Sequence, residues 1–484
     1  MYVSFFFFFV IFVLIVVPLS GVDCGASNAW VARTGRRLHA PGNSTAMNEP
    51  QRPQRKNVHG YFFRFFFVLF VFFVVPLKAT CQTMFTQRGF VEGAAVLFPQ
   101  EAVNDPTRVV GDVLARDEVF VKPAPWIQFA GGVDLRLNSH DQTDRAWRLD
   151  FSDRGVLRPS IAVRRLSATV THKALTVDAG KQFIRWGKTD IVTPTDRFAP
   201  RDFMNVVDTE FLAVTGVRAA VQAGSGSDAG HDTFEVVWAP RMTPSRLPLL
   251  NQRWTAVPPE AAAIPIADAG AALPEGSETG VRWSHVGAGI EYSLSYFDGF
   301  NHLPNIDATV ILPAAPSPAG ARIAVARIYP ALRAYGADLA MPTRWLTIKA
   351  ETAYFTSTTP ATDEYVIYVV QLERQTGEWV FVAGYAGEAV TAQHATLTFA
   401  PDRGLARSIV ARASYTIDAT RSVAVESAVR QGGGGVYAKG EYSQSRGQHW
   451  RATITGVLIA GASDDFLGQY RRNSHAAVAL RYSF

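Results

Sequence analysis

The sequence predicts an all-β protein, a transmembrane antiparallel up-and-down β-barrel of about 16–18 strands. Three observations favour this fold class. Apolar and polar side chains alternate along most of residues 88–484, and charged residues recur in the middle of the alternating segments. No apolar run after residue 81 is long enough for a membrane-spanning helix, which needs about 20 residues.

The clearest alternation lies in the segment 288–297, AGIEYSLSYF. One face carries Ile290, Tyr292, Leu294 and Tyr296, and the other carries Glu291, Ser293 and Ser295. In a soluble sandwich the apolar face packs in the core, whereas in a membrane barrel it faces lipid and the polar face lines the lumen. This segment alone is compatible with both folds.

The recurrence of the pattern favours the barrel. Charged residues take polar positions in mid-strand at Asp134, Arg136, Arg218, Lys349, Glu351, Lys439, Glu441 and Arg451. A dry sandwich core would not tolerate so many charges, but a water-filled lumen would. Barrels of about 16–18 strands enclose an aqueous channel.

Turn signals divide the body into hairpins. The stretches 374–378 (RQTGE) and 284–289 (SHVGAG) are typical of the short turns at a periplasmic rim, and the Pro-, Gly- and Ala-rich stretches 244–280 and 302–320 are typical of outer loops. We therefore expect residues 82–484 to form a single barrel.

Residues 1–81 are predicted to be a signal and targeting region. Two apolar runs, Phe5–Pro18 and Phe62–Pro76, each have the length of a signal-peptide core. Basic residues precede the second run, which makes Met47 a candidate start, but a genuine tandem arrangement stays open. Cys24 and Cys81 follow the runs, so lipidation and simple cleavage nearby are both open. The cysteine-free body suits a chain that crosses an oxidising periplasm unfolded.

The charge pattern and motifs exclude several functions. A net charge of +5 with scattered basic residues, and no nucleic-acid-binding motif, argue against nucleic acid as a partner. We find no G-x-S-x-G elbow, no H-E-x-x-H and no cysteine-based metal spacing, so we predict no enzyme, no cofactor and no metal site. A hydrolase assembled at the rim, and a calcium ion in the loop 150–155, are the weaker alternatives.

The carboxy-terminal strand resembles the signal by which outer-membrane barrels are recognised. Phe484 shares a face with Tyr482 and Leu480, and polar or small residues take the other positions. We interpret these three residues as an assembly signal for the barrel-assembly machinery of a bacterial outer membrane, with membrane lipid and lipopolysaccharide as surroundings. An ordinary final strand with a chance Phe is the alternative, and self-association is left open.

The segment 180–205 is the candidate for selectivity. It leaves a strand and continues as a charge-dense stretch with two prolines; its candidate constriction residues are Arg185, Lys188, Asp190, Asp196, Arg197, Arg201 and Asp202. A loop folded into a wide barrel narrows it and places fixed charges beside the solute. The alternative is that these residues pair with one another or brace the wall. The aromatic residues either line an apolar path for a solute or pack the loop; they are Phe183, Trp186, Phe198 and Phe203.

This segment also carries a resemblance. Gly180-x-Gln182, Trp186-Gly187 and Pro200-Arg201-Asp202, together with the hairpin 372–388 and the opening 89–100, resemble a little-characterised outer-membrane barrel family related to substrate-specific porins. The resemblance implies a channel and names no cargo. We therefore expect passive diffusion of small polar solutes past a constriction near residues 185–202. A barrel that anchors surface polysaccharide or binds a partner is the alternative.

Overall fold

Eighteen strands form the body of the molecule. The computed structural model describes residues 84–190, 192–224, 230–257, 264–312, 320–394, 397–432 and 434–484. The barrel strands are β1 (Met84–Leu97), β2 (Val109–Ala124), β3 (Ile127–Asn138), β4 (Ile161–His172), β5 (Leu175–Gln182), β6 (Val214–Ala223), β7 (His231–Ala239), β8 (Glu278–Gly287), β9 (Ile290–Phe300), β10 (Ala331–Pro342), β11 (Thr347–Thr356), β12 (Glu364–Thr376), β13 (Trp379–Ala392), β14 (Ser408–Asp418), β15 (Arg421–Arg430), β16 (Val436–Arg446), β17 (Trp450–Ala460) and β18 (His475–Ser483).

The sheet closes on itself. Each barrel strand pairs antiparallel with the next along the chain, and β1 pairs with β18 through the register Phe90 opposite Ser483 to Leu97 opposite Ala476. Closure leaves no free edge, which lipid could not satisfy. The predicted up-and-down barrel is confirmed, and the strand number lies at the upper end of the predicted range.

The two rims differ. Turns such as 125–126, 288–289 and 377–378 join strands at one rim, and long connections such as 183–213 and 240–277 join them at the other. The predicted turns within 284–289 and 374–378 both lie at the short-turn rim, where β1 begins and β18 ends.

The strands present apolar side chains outward. Leu294, Ile409 and Leu458 are among the outward side chains, with 55%, 62% and 59% of their surface exposed. Their polar neighbours face inward, as Ser293 and Glu351 show by being almost completely buried. The alternation therefore sorts the side chains as the sequence predicted.

Two predicted outer loops are more ordered than expected. The stretches 244–280 and 302–320 contribute Ile266–Ala272, Asn305–Ile311 and the neighbouring Arg322–Ile328 to a separate four-stranded sheet, completed by Leu397–Thr398. The stretch 244–280 also runs into β8, which begins at Glu278. Their Pro and Ala content concealed short runs such as Ala308–Ile311, which pair with the next strand along the chain, Arg322–Ile328.

Helix is rare in the described part of the chain. It contains a single helical turn at Pro401–Gly404 and a 3₁₀ segment at Gly468–Asn473. In the ranges given above, no helix has the length and apolar character needed to cross a membrane. The predicted targeting region, residues 1–81, lies outside the described residues.

Candidate constriction site

The connection between β5 and β6, residues 183–213, is the predicted selectivity segment, here called the constriction segment. Its side chains Ile184, Trp186 and Phe198 are almost completely buried. They belong to one apolar cluster with residues of strands β6 to β13, among them Phe297 and Phe355. The segment therefore packs against the barrel strands and does not extend away from the rim.

Aromatic packing fixes this docking. The ring of Phe198 meets Trp186 and Phe297 edge to face, with centroids 5.4 and 5.1 Å apart. A Cβ at Gly280 on β8 would lie 2.6 Å from both Trp186 and Phe198, so a glycine is required there. Trp186 and Phe198 pack the segment, because both are almost completely buried, whereas Phe203 is buried but also lines the cavity described below.

A buried carboxylate on the wall anchors the segment. Glu351 on β11 accepts the backbone N–H groups of Lys188 and Thr189 at 2.9 and 3.1 Å on Oε2, and that of Thr195 at 2.8 Å on Oε1. The hydroxyl of Thr195 also donates to Oε1 at 2.8 Å. One side chain thus satisfies several backbone donors of an irregular segment, which burial would otherwise leave unpaired.

Asp196 holds the turn of the segment from within. Its Oδ1 accepts the backbone N–H groups of Trp186 and Gly187 at 2.6 and 2.7 Å, and its Oδ2 accepts Nε of Arg185 at 3.3 Å. A Cβ at Gly187 would lie 2.7 Å from Cβ of Thr193, which explains the Trp-Gly pair. Asp196 is therefore a brace, and the half-exposed Arg185 also lies over the ring of Phe211.

Asp202 ties three long connections together. Its carboxylate accepts Arg158 of the connection 139–160 at 2.8 and 2.9 Å, and Arg246 of the connection 240–277 at 3.0 Å. Burial alone would raise the pKa of Asp202, but the two guanidinium groups outweigh it and hold the pKa well below its usual value. Asp202 is a buried clasp and does not line the cavity described below.

Glu210 joins the constriction segment to the opposite side of the lumen. Its Oε1 lies 2.5 Å from Arg116 on β2 and 2.8 Å from Arg164 on β4. Burial would raise the pKa of Glu210, but Arg116, Arg164 and Arg136 hold it below its usual value. The arginines of this wall are thereby balanced by carboxylates.

Lys188 and Asp190 also make wall contacts. The amine of Lys188 pairs with Glu291 on β9. Asp190 accepts a hydrogen bond from the side chain of Gln371 and lies 3.4 Å from Nζ of Lys349, and its carboxylate remains half-exposed. Both residues bridge the segment to the wall, and Asp190 also lines a cavity.

Arg197 and Arg201 face that cavity, which has a volume of about 550 Å³ and lies between the constriction segment and strands β12 to β16. Arg197 lies over the ring of Phe355, and Arg201 over that of Phe211. The tip residues Val206 and Val207 pack against a second apolar cluster that includes residues of β14 to β17. The segment therefore crosses the lumen.

The seven candidates of the segment differ in their burial and contacts. Arg197, Arg201 and Asp190 line the cavity with exposed or partly exposed charge. Asp196 also lines it, but its carboxylate is buried and braces the backbone, and Asp202 is withdrawn into an ion-pair network. Sequence reasoning missed three partners: Glu351, Glu210 and Gly280. Glu351 carried the signal of a mid-strand charge, but nothing in the sequence linked it to the segment.

The three residues of the predicted assembly signal lie at the short-turn rim or lead to it. Phe484 exchanges backbone hydrogen bonds of 2.9 and 3.0 Å with Gly89, and its ring lies where a Cβ of Gly89 would be. Leu480 and Tyr482 point outward on β18. Their recognition by an assembly machinery stays a prediction.

Comparisons with known proteins rest on structure alone. No protein-family model matches the sequence, and no curated protein matches it significantly. A BenF-like porin from Pseudomonas fluorescens Pf-5 is similar in fold, with a TM-score of 0.50, 8% identity, and coverage of 84% of this chain and 99% of that chain. OccAB4 of Acinetobacter baumannii follows with a TM-score of 0.48, 9% identity, and coverage of 85% and 100%. At this identity the likeness to the BenF-like porin shows the barrel fold.

Proposed function

We propose that this protein is a porin-like channel of a bacterial outer membrane, for passive diffusion of small polar solutes past the constriction segment. The observation that carries the proposal is a closed 18-strand barrel that is apolar outside and charged inside. Such a barrel can enter lipid because every strand edge is paired, and it is wide enough to hold water.

The charges inside the barrel favour solutes of modest net charge. Arg116 pairs with Asp134 and Glu210, Arg282 pairs with Asp338, and other lumen groups are paired in the same way. Paired charges of both signs leave little net field along the axis, while they keep the lumen wet. This balance supports polar, zwitterionic or sugar-like solutes over strongly charged ones.

Within the constriction segment, we assign selectivity to Arg197, Arg201 and Asp190, because these residues line the cavity with exposed or partly exposed charge. Arg185 is half-exposed and makes a smaller contribution. Lys188, Asp196 and Asp202 position the segment through their wall and loop contacts. The proposal thus keeps all seven predicted residues but separates those that meet the solute from those that hold the segment.

Reconstitution tests this function. The purified full chain in a planar bilayer should give stepwise conductance, with a reversal potential in a salt gradient that reports its ion preference. Liposomes carrying it should swell in small sugars at a rate that falls with solute size. Barrels that insert but neither conduct nor admit solutes would contradict the channel and favour the anchoring alternative. Ester or peptide turnover that a serine replacement abolishes would favour a hydrolase.

The surroundings follow from the same proposal. The outward apolar side chains would contact membrane lipid, with the long-connection rim at the cell surface and the short-turn rim in the periplasm. The predicted partners stay lipopolysaccharide, the barrel-assembly machinery and further copies of the chain. Whether each of them binds is decided by measuring how much of it accompanies the purified barrel.

A further inference from the structure

The cavity beside the constriction segment has an uneven lining. Strands β14, β15 and β16 contribute Arg412, Glu426 and Tyr437 to one side, and the constriction segment contributes Arg197 and Arg201 to the other. A volume of about 550 Å³ falls in the range of sites that hold one small organic molecule.

Arg412 and Glu426 carry opposite charges but form no ion pair with each other. They are direct cross-strand partners on β14 and β15, and both line the cavity. Among the residues that the structure describes, no oppositely charged group lies within 4.0 Å of either side chain. Glu373 of the same lining, by contrast, lies 2.8 Å from Lys349.

Lys439 does not take the place of Arg412 as the partner of Glu426. It stands opposite Glu426 on β16, but its closest carboxylate is that of Glu441, with Nζ 3.9 Å away. Charges on adjacent strands are separated by about 5 Å at the Cβ atoms. A molecule that carries both an ammonium and a carboxylate can therefore satisfy Glu426 and Arg412 at once, whereas a simple ion satisfies one of them.

Tyr437 supplies a second observation. Only 6% of its surface is exposed, and its buried hydroxyl makes no hydrogen bond of standard geometry. The carboxylate of Glu426 lies beside this hydroxyl. A buried hydroxyl without a well-formed hydrogen bond is costly, and a polar ligand group bound at Glu426 and Tyr437 would supply one.

Apolar side chains also line this side. Val382, Val410, Leu405 and Phe466 line the cavity, and the last three also belong to the second cluster or pack against it. An entirely hydrated solute such as a sugar gains nothing from this surface. A solute with a branched aliphatic or aromatic portion gains binding free energy because that portion is removed from water against these side chains.

We infer that this cavity is a subsite for small amphipathic zwitterions, such as amino acids with an apolar side chain. The ammonium group binds at Glu426 and the Tyr437 hydroxyl, the carboxylate binds Arg412, and the side chain contacts Val410 and Phe466. This inference rests on the proposed channel function and names its substrate class.

Three matched probes test it on the reconstituted full chain. L-Leucine carries both charges, 3-methylbutylamine lacks the carboxylate, and 4-methylpentanoate lacks the amine. We expect leucine to block the ion current at a concentration about tenfold lower than either analogue needs, because each analogue leaves one charged partner unsatisfied.

Substitutions locate the effect. Glu426→Gln and Arg412→Gln should each raise the half-blocking concentration of leucine about tenfold. The exchange Arg412→Glu with Glu426→Arg should recover most of the block, since a zwitterion can bind reversed. Glu378→Gln, the same change in an exposed turn, should leave the block unaltered. Heat-modifiable migration in detergent shows which variants keep the barrel.

The outcomes separate the two claims. The subsite is overturned, and the channel stands, if the chain conducts but the three probes block it equally. The same holds if leucine blocks Glu426→Gln at the concentration that blocks the wild type. A wild-type chain that shows no conductance and no solute uptake overturns the proposed function itself.

Discussion

Glu351 is the residue on which the position of the constriction segment depends most. Its two carboxylate oxygens accept three backbone N–H groups and the Thr195 hydroxyl, at 2.8 to 3.1 Å, in a fully buried position. Glu351→Gln keeps the size of the side chain but replaces one accepting oxygen by an NH₂ group. At least two of the groups that donate to that oxygen then face the NH₂ group, which cannot accept their hydrogen bonds.

The magnitude follows from these contacts. A buried donor that loses its acceptor costs about 1–3 kcal/mol. Two such donors cost at least about 2 kcal/mol, which shifts the ratio of docked to released segment about thirty-fold. The barrel itself should persist, because the strands close through backbone hydrogen bonds that this change does not touch.

Single-channel recording measures the shift. The wild type should show one steady conductance, and Glu351→Gln should show a larger mean conductance or frequent steps to a wider level, because the segment leaves the lumen part of the time. Glu378→Gln makes the same chemical change in a turn at the short-turn rim and should behave as the wild type. If Glu351→Gln matched the wild type in conductance and noise, Glu351 would not anchor the constriction.

Three further predictions concern the charges of the segment. Asp202→Asn should lower the midpoint temperature of unfolding at neutral pH. Since the pKa of Asp202 is held below its ordinary value of 3.8, the wild-type advantage is present above that pH and should shrink as the pH falls below it; a constant difference would contradict the clasp. Neutralising Arg185, Arg197 and Arg201 together should move the reversal potential toward cation preference, and an unchanged potential would place selectivity elsewhere. Glu210→Gln should move it toward anions, because Arg116 and Arg164 lose their shared carboxylate; no movement would mean that solutes do not pass this wall.

The barrel was predictable because its signal is local. Strand alternation has a period of two residues, so segments such as 288–297 reveal both faces without knowledge of their partners. The short turns, such as 377–378, carry their own glycine signals. The strand number follows by counting, and closure follows from the absence of edges in lipid.

The site was only half predictable, because its contacts join residues that lie far apart in the sequence. The sequence singled out the charged segment, but it could not show that Asp202 meets Arg158 and Arg246 in two other connections. Glu351 lies far along the chain from the turn that it holds. Which charges face the solute depends on these pairings. The sequence therefore grouped all charged residues of the segment, although Asp202 is buried and Arg197 lines the cavity.

The long connections were misjudged for a related reason. Pro- and Ala-rich stretches were predicted to be plain loops, yet Ile306 to Ile311 pair with residues 322 to 327 in a sheet outside the barrel. The two paired strands are separated in the sequence by residues 313–319, which show no alternation of apolar and polar residues. Strand formation there depends on the partner strand more than on local propensity.

Thiol accessibility in the working channel tests the central claim, a water-filled lumen inside a lipid-facing wall. Residues 82–484 contain no cysteine, so single cysteines can be introduced at Ser414, which lines the cavity, and at Ile409, which points outward on the same strand. A charged, membrane-impermeant thiol reagent should modify Ser414→Cys and reduce its conductance stepwise, and it should leave Ile409→Cys unmodified. Equal modification of both, or full labelling of Ser414→Cys with no change in current, would contradict the account.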